Sequence, residues 1–214
     1  MNSMKKVALG LALTTIGFAA KAQKNITEGV INYSVSTNGQ QTEAKNYFKG
    51  DSSSYQMQQG PATINILSDI KANYMVIMVD VPVASLKKAA VLTPADIEQM
   101  KDQEPNFTFT PTTETQTISG YSCKKVQAKD SKSGSNFDVW ITNDVMAPTT
   151  NLTRYFTSLG GYPIKFTTIQ RGQPVEITVK TITTEKVKPG TFTIPSDFDK
   201  ITMDDLKALS GGRG

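Results

Sequence analysis

The chain has 214 residues and a formal net charge of +4, with no histidine and a single cysteine. Without histidine there is no Ser-His-acid triad, no imidazole base and no histidine metal site. With one cysteine, Cys123, an intrachain disulfide and a thiolate zinc site are excluded as well.

Residues 1–22 have the three-part build of an export signal. Lys5 and Lys6 give a positive end, Val7 to Ala19 an apolar run, and Ala20-Lys21-Ala22 a small-x-small cleavage site. The run is too short for a bilayer, which needs about 20 apolar residues. Cleavage after Ala22 would remove Lys5, Lys6 and Lys21, so the net charge would fall from +4 to +1. The remaining basic residues are scattered among acids, so no basic stripe marks a nucleic-acid partner. Cys123 is expected to be a small buried hydrophobe. No cysteine follows the cleavage site, no lipid anchor is expected, and no later run is long and apolar enough to span a membrane. Residues 23–214 are expected to form one soluble β-rich domain with enough chain to bury a core.

That domain is rich in Thr, Val, Ile, Tyr and Phe in short runs broken by Gly, Pro, Asn and Asp, the pattern of an antiparallel β protein. Ile31, Tyr33 and Val35 alternate with polar residues as a first strand. Strands follow at Thr42 to Lys49, Ser53 to Gln58 and Ala62 to Leu67, with turn signals at Gly50-Asp51 and Gly60-Pro61. Tyr74 to Val81 is apolar on both faces, as in a strand covered on both sides. Thr93 is placed to cap a short helix, with Pro94 at its first position and Asp96 in its first turn, running to Pro105.

Further strands are predicted around Phe107 and Phe109, at Gln116 to Ile118, Tyr121 to Ala128 and Phe137 to Thr142. Gly120 suits a tight, positive-φ link before Tyr121. Asn151 to Leu159 reads as a second helix with Leu152, Tyr155, Phe156 and Leu159 on one side, stopped by Gly160-Gly161. Ile164 to Gln170, a turn at Arg171-Gly172 and Val175 to Val187 form a hairpin. Pro195 is expected to end the last strand, and Ser210 to Gly214 to be a frayed tail.

No motif carries an obvious reaction. Asp51, Asp69, Asp80, Asp130, Asp138 and Asp144 lie near strand ends, where acids are commonly turn residues, and their spacing pairs no two of them. Ser52-Ser53-Ser54 lacks a nucleophile-elbow context, and the glycines form no phosphate loop. No catalytic residue, metal ligand or cofactor is assigned. The aromatic and methionine supply on the predicted strands is more suggestive. Tyr33, Tyr47, Tyr74, Met78, Phe107, Phe109, Trp140 and Phe166 are the candidate lining of a cavity for an apolar ligand, with plain core packing as the other reading.

Five short motifs carry a resemblance. They are Gly29-Val30-Ile31-Asn32-Tyr33, residues 117–125 (Thr-Ile-Ser-Gly-Tyr-Ser-Cys-Lys-Lys), Asp138-Val139-Trp140-Ile141-Thr142, Gly160-Gly161-Tyr162-Pro163-Ile164 and Phe192-Thr193-Ile194-Pro195. In this order they resemble a secreted Gram-negative envelope family of unknown function (DUF4412-like), similar in turn to the half-barrel of LolA-like lipoprotein carriers. The likeness runs from about Gly29 to Phe198. It implies an antiparallel sheet curled into an incomplete barrel with one or two short covering helices. No residue role is transferred by it.

With export, it implies a non-enzymatic periplasmic binding protein whose curled sheet holds a lipid, a lipoprotein acyl chain or another apolar ligand. Secretion beyond the outer membrane is the alternative address. A second reading is an envelope interaction or structural module with a fully packed core, docking another envelope protein. A third, an enzyme, would need a polar cleft that pairs two carboxylates. A nucleic-acid partner is not expected.

Overall fold

The computed structural model describes residues 23–170 and 173–211. The export segment, the turn at Arg171-Gly172 and the last three residues of the expected tail lie outside the described residues. Strands β1 (Lys24–Asn25), β2 (Glu28–Thr37), β3 (Gln40–Lys49), β4 (Ser52–Gln59), β5 (Ala62–Asp69), β6 (Met75–Val81) and β7 (Leu86–Val91) precede helix α1 (Pro94–Asp102). Then come β8 (Phe107–Ile118), β9 (Tyr121–Asp130), β10 (Asn136–Thr142), β11 (Val145–Met146), β12 (Tyr162–Gln170), β13 (Gln173–Thr183), β14 (Asp199–Ile201) and helix α2 (Met203–Gly211).

Twelve strands make one sheet in the order β14-β7-β6-β5-β4-β3-β2-β13-β12-β10-β9-β8. Neighbours are antiparallel except for β14 on β7. The sheet is curled and does not close into a barrel: β14 is one edge and β8 the other. Short β1 and β11 pair separately in parallel.

Alternation sets the two faces. Ile31, Tyr33 and Val35 of β2 point inward and are buried, while Asn32, Ser34 and Ser36 point outward. The inner face of β2, β12 and β13 is filled by the segment between β10 and β12, which delivers Val145, Ala147, Leu152 and Phe156 to the core. Phe156 is the keystone of that plug. Its ring stacks on Phe107 at 5.6 Å, tilts against Phe166 at 5.0 Å and meets Phe109 at 6.3 Å. Arg154 ties the plug to the end of α1 by pairing with Glu104.

The helix expected over Asn151 to Leu159 is instead a 3-10 turn at Arg154–Leu159, closed by Gly160 with φ 68°. The apolar spacing is real, and Leu152 and Phe156 are buried. Threonine side chains break the helical start: Thr153 Oγ1 accepts from Thr150 N at 2.9 Å, and Thr150 Oγ1 accepts from Leu152 N at 3.3 Å. Such local bonds compete with a helix.

Helix α1 starts as expected. Thr93 and Asp96 form a reciprocal capping box with Pro94 in the first turn. The two strands expected near Phe107 and Ile118 are one long edge strand with a register shift between Pro111 and Thr115, where a proline is tolerated. Ser119 and Gly120 both take positive φ, 51° and 83°, to turn β8 into β9.

The last hairpin strand stops at Thr183, not Val187, and Pro195 ends no strand, since β14 lies beyond it. The intervening strap, residues 184–198, crosses the outer face from β13 to the β7 edge. Ile194 and Phe198 pack there on Leu67, Val76, Met78 and Ala89. Met75 and Ile77 meet α1 and Met203 on the inner side. Both faces of β6 are therefore covered, which explains its continuous apolar run. The expected fray includes helix: α2 reaches Gly211, started by a Thr202–Asp205 box with bonds of 2.7 to 3.1 Å.

Gly29 sits where β2 and β13 approach closely. A Cβ there would lie 1.9 Å from the Thr183 carbonyl oxygen, so Gly29→Ala must push the strands apart. We predict that Gly29→Ala lowers unfolding free energy by about 1–3 kcal/mol. Removing the plug ring in Phe156→Ala should cost about 3–5 kcal/mol, both read from urea unfolding midpoints.

Candidate functional site

The plug fills only part of the inner face. Over β4–β7 the registers set Met57 opposite Ile64, Ile64 opposite Val79, and Ile66 opposite Ile77. These in-register apolar rows are what β-branched residues at alternate positions produce. One end of the rows is closed by α1, where Ile97 and Met100 join Ala72, Met75 and Leu92. The rest is roofed by α2, whose Met203, Leu206 and Leu209 recur every third residue along one side of the helix.

The roof is loosely seated. Leu209 remains 54% exposed, and Met203 and Leu206 are only half-buried. Beneath α2 lies a cavity of about 630 Å³ lined by Ile64, Ile77, Val79, Val81, Leu86 and the three α2 side chains, with Gln59 and Lys207 also on its wall. A second recess of about 560 Å³ runs toward β2 and β13 past Met57 and Ile66. The two share Gln59, Ile64 and Ile77 and so form one groove. Its volume is that of a small-molecule site, about 300–1,000 Å³. The arrangement can shelter an apolar chain but supplies no acid, base or nucleophile along its floor.

The eight aromatic and methionine candidates scatter. Phe107, Phe109 and Phe166 come together around Phe156 in the packed core. Tyr33 is buried beside Tyr55, with ring centres 6.4 Å apart. Burial pushes the Tyr33 phenol well above its ordinary range, and that of Tyr55 up to about 12. Tyr47 and Met78 both line a recess on the outer face under the strap. Trp140 is half-buried at the β10 bulge, with Lys125 Nζ 6.0 Å from its ring centre. Tyr74 is exposed in the link between β5 and β6. None of the eight lines the α2-roofed groove.

Sequence reasoning missed most of the groove: β7, α2 and the inner isoleucines of β5. The available signals were the Ile64/Ile66 alternation and the Met203, Leu206, Leu209 spacing.

Five of the six strand-end acids are engaged one by one. Asp69 Oδ1 accepts from Asn73 N at 2.7 Å, and Asp144 from Ser122 N at 2.8 Å. Asp80 and Asp138 each face a lysine, at 3.6 and 3.3 Å. Asp130 organises a turn. Burial raises its pKa, but bonds from Ser133, Asn106 and Lys132 outweigh that and hold it below the usual carboxylate range. Among the described residues no cluster of three or more His, Cys, Asp or Glu could hold a metal ion. No helix among them is long and apolar enough to cross a membrane.

These features define a half-open antiparallel β-sheet with an apolar groove under a short helix. The chain belongs to the family described as a domain of unknown function, DUF4412, whose model matches residues 27–198. Helix α2 lies just past the matched segment. A search of curated proteins finds no match.

Among solved structures the chain is similar to PNGF-II, with 15% identity over 84% of this chain and 32% of that one, at a TM-score of 0.48. It is similar to the MucA/MucB complex of Pseudomonas aeruginosa, with 10% identity over 82% and 58% of the two chains and a TM-score of 0.36. LprF from Mycobacterium bovis matches with 12% identity over 80% and 90%, at a TM-score of 0.37. The chain thus spans about a third of PNGF-II and just over half of the matched chain in the MucA/MucB complex.

Cys123 is buried, and burial pushes its thiol up to about 11. A thiol-specific disulfide reagent at mildly alkaline pH should therefore leave the folded protein unmodified and label it stoichiometrically in denaturant. Rapid labelling of the folded protein would contradict this placement.

Proposed function

We propose that this protein is a non-enzymatic envelope binding protein that holds an acyl chain in the groove between β4–β7 and α2. One observation carries the reading: the inner face continues past the plug as an apolar groove that α2 roofs without filling. Burying apolar ligand surface there gains roughly 25 cal/mol per Å². The floor has no charged side chain to desolvate, and Gln59 and Lys207 leave polar groups at the wall.

In this reading residues 1–22 export the chain, residues 23–214 act as one domain, and the site is in the periplasm. The ligand is a lipid or the acyl chain of a lipoprotein. The aromatic set around Phe156 supports the groove from the packed half of the sheet. A docking module would use the same exposed leucine edge of α2 to meet another envelope protein.

Displacement of an environment-sensitive naphthylamine dye by palmitate tests the proposal. The folded protein should bind the dye and release it to palmitate. Leu206→Glu and Val79→Glu, which place a carboxylate against the apolar lining, should each weaken palmitate by at least about tenfold, or about 1.4 kcal/mol. Dye binding without displacement by any acyl chain, or variants that bind palmitate as well as the parent, would sink the reading.

A further inference from the structure

The outer face carries a second recess, separate from the α2 groove. The strap is fastened at one end, where Val187 N–H donates to Glu28 Oε1 at 3.0 Å. At the other end Ile194 and Phe198 are packed down, and Lys87 Nζ bonds Asp197 at 2.7 Å. Between these fastenings, among the described residues, it bonds only to itself. Thr191 Oγ1 donates to Lys188 O at 2.8 Å and Thr193 Oγ1 to Gly190 O at 2.9 Å. Gly190 takes φ +86°, which the turn requires. Among the described residues no hydrogen bond joins Lys188–Thr193 to the sheet. The strap therefore arches over β2–β6 and encloses a recess of about 560 Å³.

The floor beneath the arch is built in register. Lys45 of β3 lies opposite Gln56 of β4, and Gln56 opposite Asn65 of β5. Tyr47 is two residues along on the same face, opposite Ser54. Ser54 Oγ donates to Asn65 Oδ1 at 3.0 Å and fixes that carboxamide. Its Nδ2, the Gln56 amide and the Tyr47 hydroxyl have no protein partner among the described residues. Lys186 and Lys188 stand on the arch facing Lys45 on the floor. The arch also carries one acid, Glu185, whose carboxylate accepts from Thr183 Oγ1 at 3.4 Å, so three lysines share the recess with one carboxylate. Lys45 and Lys188 have no carboxylate partner among the described residues.

This chemistry is selective. Amides offer paired donors and acceptors that match vicinal hydroxyls. A half-buried phenol ring offers a flat apolar face, and ammonium groups an anion contact. Sheet backbone donors and acceptors are spent in the ladder, so the floor cannot grip a peptide through its main chain. We propose that the recess under the strap is a second binding site, for a short oligosaccharide that bears an acidic group.

Two probes distinguish the source of the acid: tetragalacturonate carries carboxylates and pentamannose phosphate a phosphate. Calorimetric titration of the full chain should show binding of one or both, weakening as salt rises. The neutral maltotetraose should bind at least severalfold more weakly. A Lys45→Ala/Lys188→Ala variant should lose at least about tenfold in affinity, and Tyr47→Ala a comparable factor, with unchanged melting curves. Amide shifts on titration should cluster at residues 45–65 and 186–193. Failure of both acidic probes to bind, affinity indifferent to the lysine pair, or equal binding of tetra-aspartate would overturn the proposal. The last result would assign the recess to an acidic peptide instead. Palmitate binding, which involves the opposite face, is unaffected by any of these outcomes.

Discussion

A curled sheet of twelve strands exposes more apolar inner face than one short plug can cover, and the rest of the structure follows from that mismatch. Phe156 and its neighbours complete a dense core over β2, β12 and β13. Protein interiors tolerate few voids, so an inner face left unfilled over β4–β7 needs a second cover. The chain supplies it late, with its last helix, and supplies it loosely. A tight roof would have buried Leu206 and Leu209; α2 buries neither.

The route by which α2 arrives has its own consequences. After β13 the chain crosses the outer face, joins the far edge as a strand parallel to β7, and turns onto the inner face. This wrapping covers Lys88–Ala90 of β7 and leaves a three-residue strand at the edge, a poorer template for intermolecular pairing than β7 itself. The fastening is mainly apolar. Phe198 and Ile194 are packed over β5–β7, whereas the Lys87–Asp197 and Lys88–Asp199 pairs are exposed and contribute little. One crossing thus makes two recesses of opposite character, apolar under α2 and polar under the strap.

Much of the sheet was legible because its alternation is strong. β2 to β5, β9, β10 and the β12–β13 pair stand where apolar residues alternate with polar ones, and β6 where the run is apolar on both faces. The Thr93 box and the Gly120 turn also declared themselves, since each is a local device. β7 was not legible: Lys87, Lys88, Ala89 and Ala90 have low strand propensity, and only the neighbours on both faces make Ala89 and Ala90 core residues. The helix expected at Asn151 failed through threonine side chains that bond locally. The site was the least legible part. Tyr33 and Phe166 look the same in sequence whether they fill a core or line a cavity. The groove depends on where α2, nearly 140 residues after Ile64, comes to rest.

The central claim is that the space under α2 is built to be occupied. Native mass spectrometry of the protein purified without detergent from a periplasmic extract tests this most directly. The account predicts a species heavier than the polypeptide by one acyl lipid, recovered on organic extraction and absent from Leu206→Glu. A single species at the bare polypeptide mass, with nothing extractable, would contradict it.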